Sequence, residues 1–170
     1  MSDPVIVTVS RRFTVPAERV FDAWLTPAQA GRFLFATRTG NILHCEINAK
    51  VGGEFTVTDR RPTADGDESF FDAQHRGRYV EIKRPSRLVF DFGVEPFFEA
   101  DTRVAIDIER AGANSSELTL THTLGDSEEA RAFAERTRQG WIKMLEALDK
   151  VLTARSWGFK LPGKPDRPTV

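Results

Sequence analysis

The chain has 170 residues, of which 40% are hydrophobic and 29% charged, values typical of one soluble globular domain. The net charge of −1 excludes a surface built for nucleic acid, and no apolar run approaches the roughly 18 residues that span a bilayer. The single cysteine, Cys45, excludes an internal disulfide, and residues 1–10 do not resemble a signal peptide, so we expect a cytoplasmic protein.

The first part of the chain predicts one strand followed by two short helices. Val5–Phe13 alternates β-branched and polar residues, the pattern of a strand. Pro16 suits the first turn of a helix. The apolar face of that helix consists of Val20, Phe21, Trp24 and Leu25. Thr26 and Pro27 end it and begin a second helix that runs to about Phe33.

The centre of the chain predicts about six further strands. They are Ile42–Ile47, Gly53–Asp59, Phe70–Lys83, Leu88–Phe92, Thr102–Arg110 and Glu117–Leu124. A polar connection over 60–68 and a turn at Pro85-Ser86 separate three of them. Apolar and polar residues alternate in the last two strands, which indicates an antiparallel sheet with one buried face. A sheet with helices gathered on one face is an α+β fold.

One long amphipathic helix is predicted from Ser127 to Ala154. Asp126 can accept hydrogen bonds from its first free amides, and Glu128 and Glu129 suit the positive end of the helix dipole. Its apolar positions recur at steps of three and four, at Ala130, Phe133, Ala134, Trp141, Met144, Leu145, Leu148, Val151 and Leu152. A helix of this length spans roughly 40 Å. Only an extended, curved sheet offers a partner surface of that length.

Three groups of residues carry a pattern shared with a known family. The first comprises Phe13, Pro16, Val20, Phe21, Trp24, Thr26 and Pro27. The second comprises Val51-Gly52-Gly53-Glu54-Phe55, Gly77, Tyr79, Glu81, Ile82, Pro85 and Arg87-Leu88-Val89-Phe90. The third comprises Leu118-Thr119-Leu120-Thr121-His122, Gly140, Trp141, Leu145 and Leu148. Over about residues 5 to 153, this order and spacing resemble the bacterial homologues of the C-terminal domain of the activator of heat-shock protein 90 ATPase.

The resemblance implies the helix-grip fold of the START-like (SRPBCC), birch-pollen-allergen-like superfamily. In that fold a seven-stranded antiparallel sheet wraps around the C-terminal helix, often with an apolar cavity between the two. The superfamily includes lipid and hormone binders as well as cyclase-like enzymes. We therefore expect a single domain over residues 1–155, followed by an extended or mobile tail over 156–170.

Aromatic residues form the main candidate binding site for a hydrophobic small molecule. In a helix-grip fold they could line one apolar chamber, or they could pack against one another as ordinary core. The predicted ligand-binding residues are Trp24, Phe33, Phe35, Phe55, Phe90, Phe92, His122, Trp141, Leu145 and Leu148. We expect no cofactor and no metal, because His44 and His75 are isolated and no cluster shows metal-ligand spacing.

His122 and Gly140 leave alternatives open. His122 ends a row of buried-facing residues, so it either hydrogen-bonds within the core or transfers a proton in a cyclase- or hydratase-like enzyme. Gly140 interrupts the helix beside Trp141, and a glycine there costs about 1 kcal/mol relative to alanine. This predicts close approach of the sheet, or a bend at the cavity mouth.

Several residues suggest partners. Ile142 lies off the main apolar stripe and hints at a weak homodimer, while Phe97 and Phe98 suggest a gate or an interface. Arg76 and Arg78 share a strand face and could pair with an anionic headgroup or with neighbouring acids. The family name adds a third hypothesis, contact with the chaperone. The eukaryotic activator uses a separate N-terminal domain in that contact, and 170 residues leave no room for one beside this fold.

Overall fold

The structure, a computed structural model, describes residues 3–37, 40–63, 69–95 and 102–154. Three predictions fall outside these ranges. They concern the tail over 156–170, the middle of the connection over 60–68, and the pair Phe97-Phe98.

The described residues form an α+β fold, as predicted, with seven strands and three helices. In chain order the elements are β1 (Val5–Phe13), α1 (Ala17–Leu25), α2 (Pro27–Ala30), β2 (Asn41–Ile47), β3 (Glu54–Pro62), β4 (Phe70–Lys83), β5 (Arg87–Glu95), β6 (Thr102–Gly112), β7 (Ser115–Gly125) and α3 (Glu128–Thr153). α2 ends three residues before the predicted Phe33, and β5 continues three residues beyond the predicted Phe92.

All seven strands belong to one antiparallel, curved sheet in the order β1-β7-β6-β5-β4-β3-β2. Strands β2 to β7 follow one another in both sequence and space. β1 pairs with β7 instead, because α1 and α2 carry the chain across to the opposite edge. This is the helix-grip arrangement predicted from the family resemblance.

The buried face of the sheet takes one row of side chains from each strand, and two of these rows contain a histidine. His75 of β4 stands opposite Val57 of β3 and Val94 of β5. His122 of β7 stands opposite Val104 of β6. Both histidines are only 4% exposed. Since side chains alternate between faces, this register brings two polar rings to the inner side of a mainly apolar surface.

Helix α3 packs on this buried face, mainly against β1 and less extensively against α1 and β7. Ser127, not Asp126, is its N-cap, because the Ser127 hydroxyl accepts the amide of Ala130 at 3.0 Å. The φ of +96° at Gly125 turns the chain before the helix, and the extended conformation of Ser127 then points its oxygen at the first turn. The helix therefore begins one residue later than predicted, at Glu128.

The structure shows the surroundings of Ile142 and Arg78, two residues for which the sequence suggested contacts with partners or ligands. Ile142 is partly buried and packs against the core, and the weak homodimer stays a prediction. Arg78 pairs with Glu54 of the neighbouring strand at 2.8 Å, on the outer side of the sheet. Of the two alternatives for this arginine, pairing with a neighbouring acid is therefore the one observed.

Candidate ligand-binding pocket

A pocket of about 570 Å³ lies between the N-terminal half of α3 and the adjoining part of strands β4 to β7. One face of the helix forms a wall of the pocket. Its lining residues recur mostly at steps of three and four, which places their side chains on one side of the helix. These residues are Ala130, Phe133, Thr137, Gly140, Trp141 and Met144. The C-terminal half of the helix packs instead into the closed core through Leu145, Leu148 and Leu152, each at most 2% exposed.

The sheet forms the opposite wall. Its lining residues come from four adjacent strands and are His75, Phe92, Val94, Thr102, His122 and Leu124. Phe92 and Thr102 stand directly opposite each other on β5 and β6. Phe35, from the loop after α2, completes the wall between helix and sheet. The surface is therefore mainly apolar, with a few polar groups at defined positions.

Four of the ten residues predicted for the binding site line this pocket, namely Phe35, Phe92, His122 and Trp141. The other six lie in the adjacent core, namely Trp24, Phe33, Phe55, Phe90, Leu145 and Leu148. Residues on the same face of a strand or helix lie at different depths along it, so only some of them reach the pocket. The ring of Phe55 covers Gly77, where a Cβ would lie 2.3 Å from the Phe55 Cζ atom, so this ring fills space inside the core.

Phe35 is held between helix and sheet by an unusual backbone. Its φ of +60° is rare for a residue with a side chain and costs of order 1–3 kcal/mol. Its amide donates to the thioether sulfur of Met144 at 3.2 Å. Its ring stacks on His75 at 4.1 Å between centroids and lies 4.9 Å from the ring of Phe92. The strained conformation therefore aims an aromatic ring at the pocket.

His122 is the centre of a hydrogen-bond chain. The indole Nε1–H of Trp141 donates to His122 Nδ1 at 3.0 Å. The other ring nitrogen, Nε2, lies 2.7 Å from the hydroxyl oxygen of Thr102. Because Nδ1 accepts a hydrogen bond, the proton of the neutral ring resides on Nε2, which then donates to Thr102. Burial lowers the pKa of His122 to about 4, so the ring is neutral at physiological pH.

His75 is a pocket residue that the sequence interpretation missed. Its Nδ1 lies 3.3 Å from the carbonyl oxygen of Val57 and donates to it, which leaves Nε2 as an acceptor. Burial lowers the pKa of His75 to about 4, and the positive charge of Arg61 acts in the same direction. The signal was present in the alternation of β4. Gln74 and Arg76 point to the outer side of the sheet, so His75, which lies between them on β4, points inward.

In the described residues, no group of three or more His, Cys, Asp or Glu side chains is arranged to hold a metal ion. Nor is any helix in this part of the chain long and apolar enough to cross a membrane.

The family assignment follows from a match over most of the chain. The model of the family described as Activator of Hsp90 ATPase homolog 1-like protein matches residues 14–153. The chain belongs to this family. No protein with a curated description matches it.

Solved structures that resemble this member of the family show the same fold at low identity. A Chromobacterium violaceum protein is 20% identical, with a TM-score of 0.73 over 89% of this chain and 100% of its own. A Rhodobacter sphaeroides protein is also 20% identical, with a TM-score of 0.73 over 88% of this chain and 93% of its own. DynU16, a protein in the dynemicin biosynthetic locus, is 15% identical, with a TM-score of 0.61 over 88% of this chain and 47% of its own.

Gly140 of this family member faces the pocket and does not adjoin the sheet. A Cβ at this position would meet only the terminal methyl of Met144, at 3.9 Å, which is ordinary contact. The predicted close approach of the sheet is therefore wrong. The missing side chain instead leaves open space in the pocket that Phe133 and Trp141 also line.

Replacing Gly140 by alanine is expected to raise the free energy of unfolding by about 1 kcal/mol. Alanine stabilises a helix interior relative to glycine by this amount, and the added methyl meets no close neighbour. Urea denaturation followed by circular dichroism would measure the change. A loss of stability would show instead that the helix depends on glycine at this point.

Proposed function

We propose that this protein binds a hydrophobic small molecule in the pocket between α3 and the sheet. The observation that carries the proposal is a space of about 570 Å³ with largely aromatic and aliphatic walls. Ligand pockets range over roughly 300–1,000 Å³ and have this character. Well-packed protein interiors contain few voids larger than a water molecule, so a space of this size is not ordinary core packing.

The charges around the pocket favour a neutral ligand. His75 and His122 are both neutral at physiological pH, because burial lowers both pKa values to about 4. Glu129 is the one acidic or basic residue, apart from the histidines, among the described residues that line the pocket, and it is exposed. The described residues that line the pocket therefore offer no cation that could pair with an anionic headgroup.

Binding is better supported than catalysis. His122 faces the pocket beside Thr102, as the cyclase- or hydratase-like hypothesis requires. Both of its ring nitrogens, however, are already engaged by Trp141 and Thr102. A ring with no free nitrogen is a poor general acid or base, so we assign His122 a hydrogen-bonding role.

Titration with Nile red, a neutral hydrophobic dye, would test the proposal. We expect saturable binding to one site, with a rise in dye fluorescence that neutral polycyclic compounds reverse. Leu43→Ala and Phe70→Ala are matched controls, because these side chains are 50% and 59% exposed and represent non-specific surface binding. A response that disappears in these variants, or that never saturates, would contradict the proposal.

A further inference from the structure

We propose that the Thr102 hydroxyl donates a hydrogen bond to the ligand, and that the ligand is a neutral, flat aromatic molecule bearing a carbonyl oxygen. This inference rests on the proposed binding function and specifies its chemical class. It starts from the chain of polar atoms that links Trp141, His122 and Thr102 across the pocket wall.

Trp141 sets the direction of this chain. An indole nitrogen can only donate, so the 3.0 Å contact to His122 Nδ1 requires a lone pair on that atom. The neutral imidazole then carries its one proton on Nε2. A reversed chain would place two N–H groups against each other inside a buried site, where an unsatisfied donor costs about 1–3 kcal/mol.

Thr102 is the last member of this hydrogen-bond chain. Its oxygen receives the Nε2–H of His122 at 2.7 Å, so the hydroxyl hydrogen is directed elsewhere. Within the described ranges, the Thr102 hydroxyl has no second partner. Hydrogen bonds in series polarise one another, which makes this terminal hydroxyl a better donor than an isolated one. Thr102 lines the pocket, so its free hydrogen is available to a bound molecule.

The neighbours of Thr102 indicate the rest of the ligand. Phe92 stands directly opposite Thr102 on the adjacent strand, and its ring centroid lies 5.4 Å from that of His122. The ring of Trp141 meets that of Phe92 nearly edge-on, at 88° and 6.5 Å. A carbonyl bound at Thr102 therefore places the attached group against the rings of Phe92 and Trp141. Flat aromatic molecules suit such walls, because ring pairs stack or meet edge to face.

Calorimetric titration with 9-fluorenone and fluorene would test the inference, because these tricyclic molecules differ only in the carbonyl oxygen. We expect wild-type protein to bind the ketone about three- to tenfold more tightly, the range of one net hydrogen bond. Thr102→Ser keeps the hydroxyl and should retain this ratio. Thr102→Val keeps the shape and should bring the ratio close to one, while fluorene binding changes little.

The variant Trp141→Phe tests the hydrogen-bond chain from Trp141 through His122 to Thr102. Without the indole donor, His122 can move its proton to Nδ1 and accept the Thr102 hydroxyl through Nε2, which withdraws the hydrogen from the ligand. The ketone preference should then fall although Thr102 is intact. Taking the ratio of the affinities for 9-fluorenone and fluorene in the same variant corrects for the altered pocket wall. The carbonyl stretching band of bound 9-fluorenone gives a second measurement. It should lie at lower frequency in the wild type and Thr102→Ser than in Thr102→Val and Trp141→Phe.

The outcomes separate this inference from the function on which it rests. Equal affinities for both probes in the wild type, or a ketone preference that survives Thr102→Val, would overturn the role of Thr102 and leave apolar binding standing. Failure of both probes to bind, together with no saturable Nile red binding, would overturn both proposals. A preference lost in Thr102→Val and Trp141→Phe but kept in Thr102→Ser would support both.

Discussion

Acidification from pH 6.5 to pH 4 is expected to lower the free energy of unfolding by about 3 kcal/mol for each of the two pocket histidines. His75 and His122 have folded-state pKa values of about 4, against 6.5 for the unfolded chain. The unfolded state therefore binds more protons throughout this window, and stability rises with pH. The contribution is fully present above pH 6.5 and is lost as the pH falls toward 4.

The physical cause is burial of the two rings, which disfavours the charged form of each. Each ring is 4% exposed, and Arg61 disfavours protonation of His75 further. At His122 a second ring proton would face the indole N–H of Trp141, so protonation would also break that hydrogen bond. Acid is therefore expected to loosen the pocket wall first.

Urea denaturation at closely spaced pH values would measure this effect. The maximum slope for two protons is about 2.7 kcal/mol per pH unit, and His75→Phe should halve it while preserving an aromatic ring against Phe35. His44→Gln is the matched control, because that side chain is 48% exposed and does not line the pocket. A slope that is the same in the wild type and in His75→Phe would contradict the prediction.

Replacing Gly140 by phenylalanine is expected to reduce ligand affinity by tenfold to a hundredfold without unfolding the protein. The added ring would project into the pocket, where a Cβ meets no atom closer than 3.9 Å, and would occupy the space that the ligand needs. Crowding of this kind typically costs about 1–3 kcal/mol, which corresponds to that range of affinity.

A size series at this position separates blocking from unfolding. Affinity for Nile red should be nearly unchanged in Gly140→Ala, reduced in Gly140→Leu and lowest in Gly140→Phe. The free energy of unfolding should stay at or above the wild-type value in all three variants, because each replaces glycine within a helix. Equal affinities across the series would show that the dye binds elsewhere.

The fold could be predicted from the sequence because its main determinants are periodic. The alternation in β6 and β7 identified a sheet with one buried face, and the steps of three and four in α3 identified the helix that packs on it. Local turn chemistry was harder to assign. Asp126 and Ser127 are both good N-cap residues, and only the backbone of Gly125 decides between them.

The pocket residues were harder to predict because periodicity gives the face of an element and not the depth along it. Phe90 and Phe92 point to the same side of β5, but only Phe92 reaches the pocket. On α3 the same stripe includes Trp141 in the pocket wall and Leu148 in the core. His75 could have been found from the outward positions of its neighbours on β4.

Thr102 could not be identified as a polar contact from the sequence. Its importance depends on the strand register that places it beside His122, and on the indole of Trp141, which lies on a different element. Such a hydrogen-bond chain depends on two long-range pairings at once, Trp141 with His122 and His122 with Thr102. The sequence placed Gly140 at a possible bend at the cavity mouth, but the open space beside it could not be predicted, because that space depends on side chains from other elements.

Native mass spectrometry tests the central claim most directly when two variants compete. Wild-type protein and Gly140→Phe, mixed in equal amounts and exposed to a limiting quantity of bacterial small-molecule extract, differ in mass and report binding side by side. We expect an added mass on the wild type alone, equal to one small molecule per chain. Added mass shared equally by both proteins, or carried by neither, would contradict a ligand-binding pocket beside Gly140.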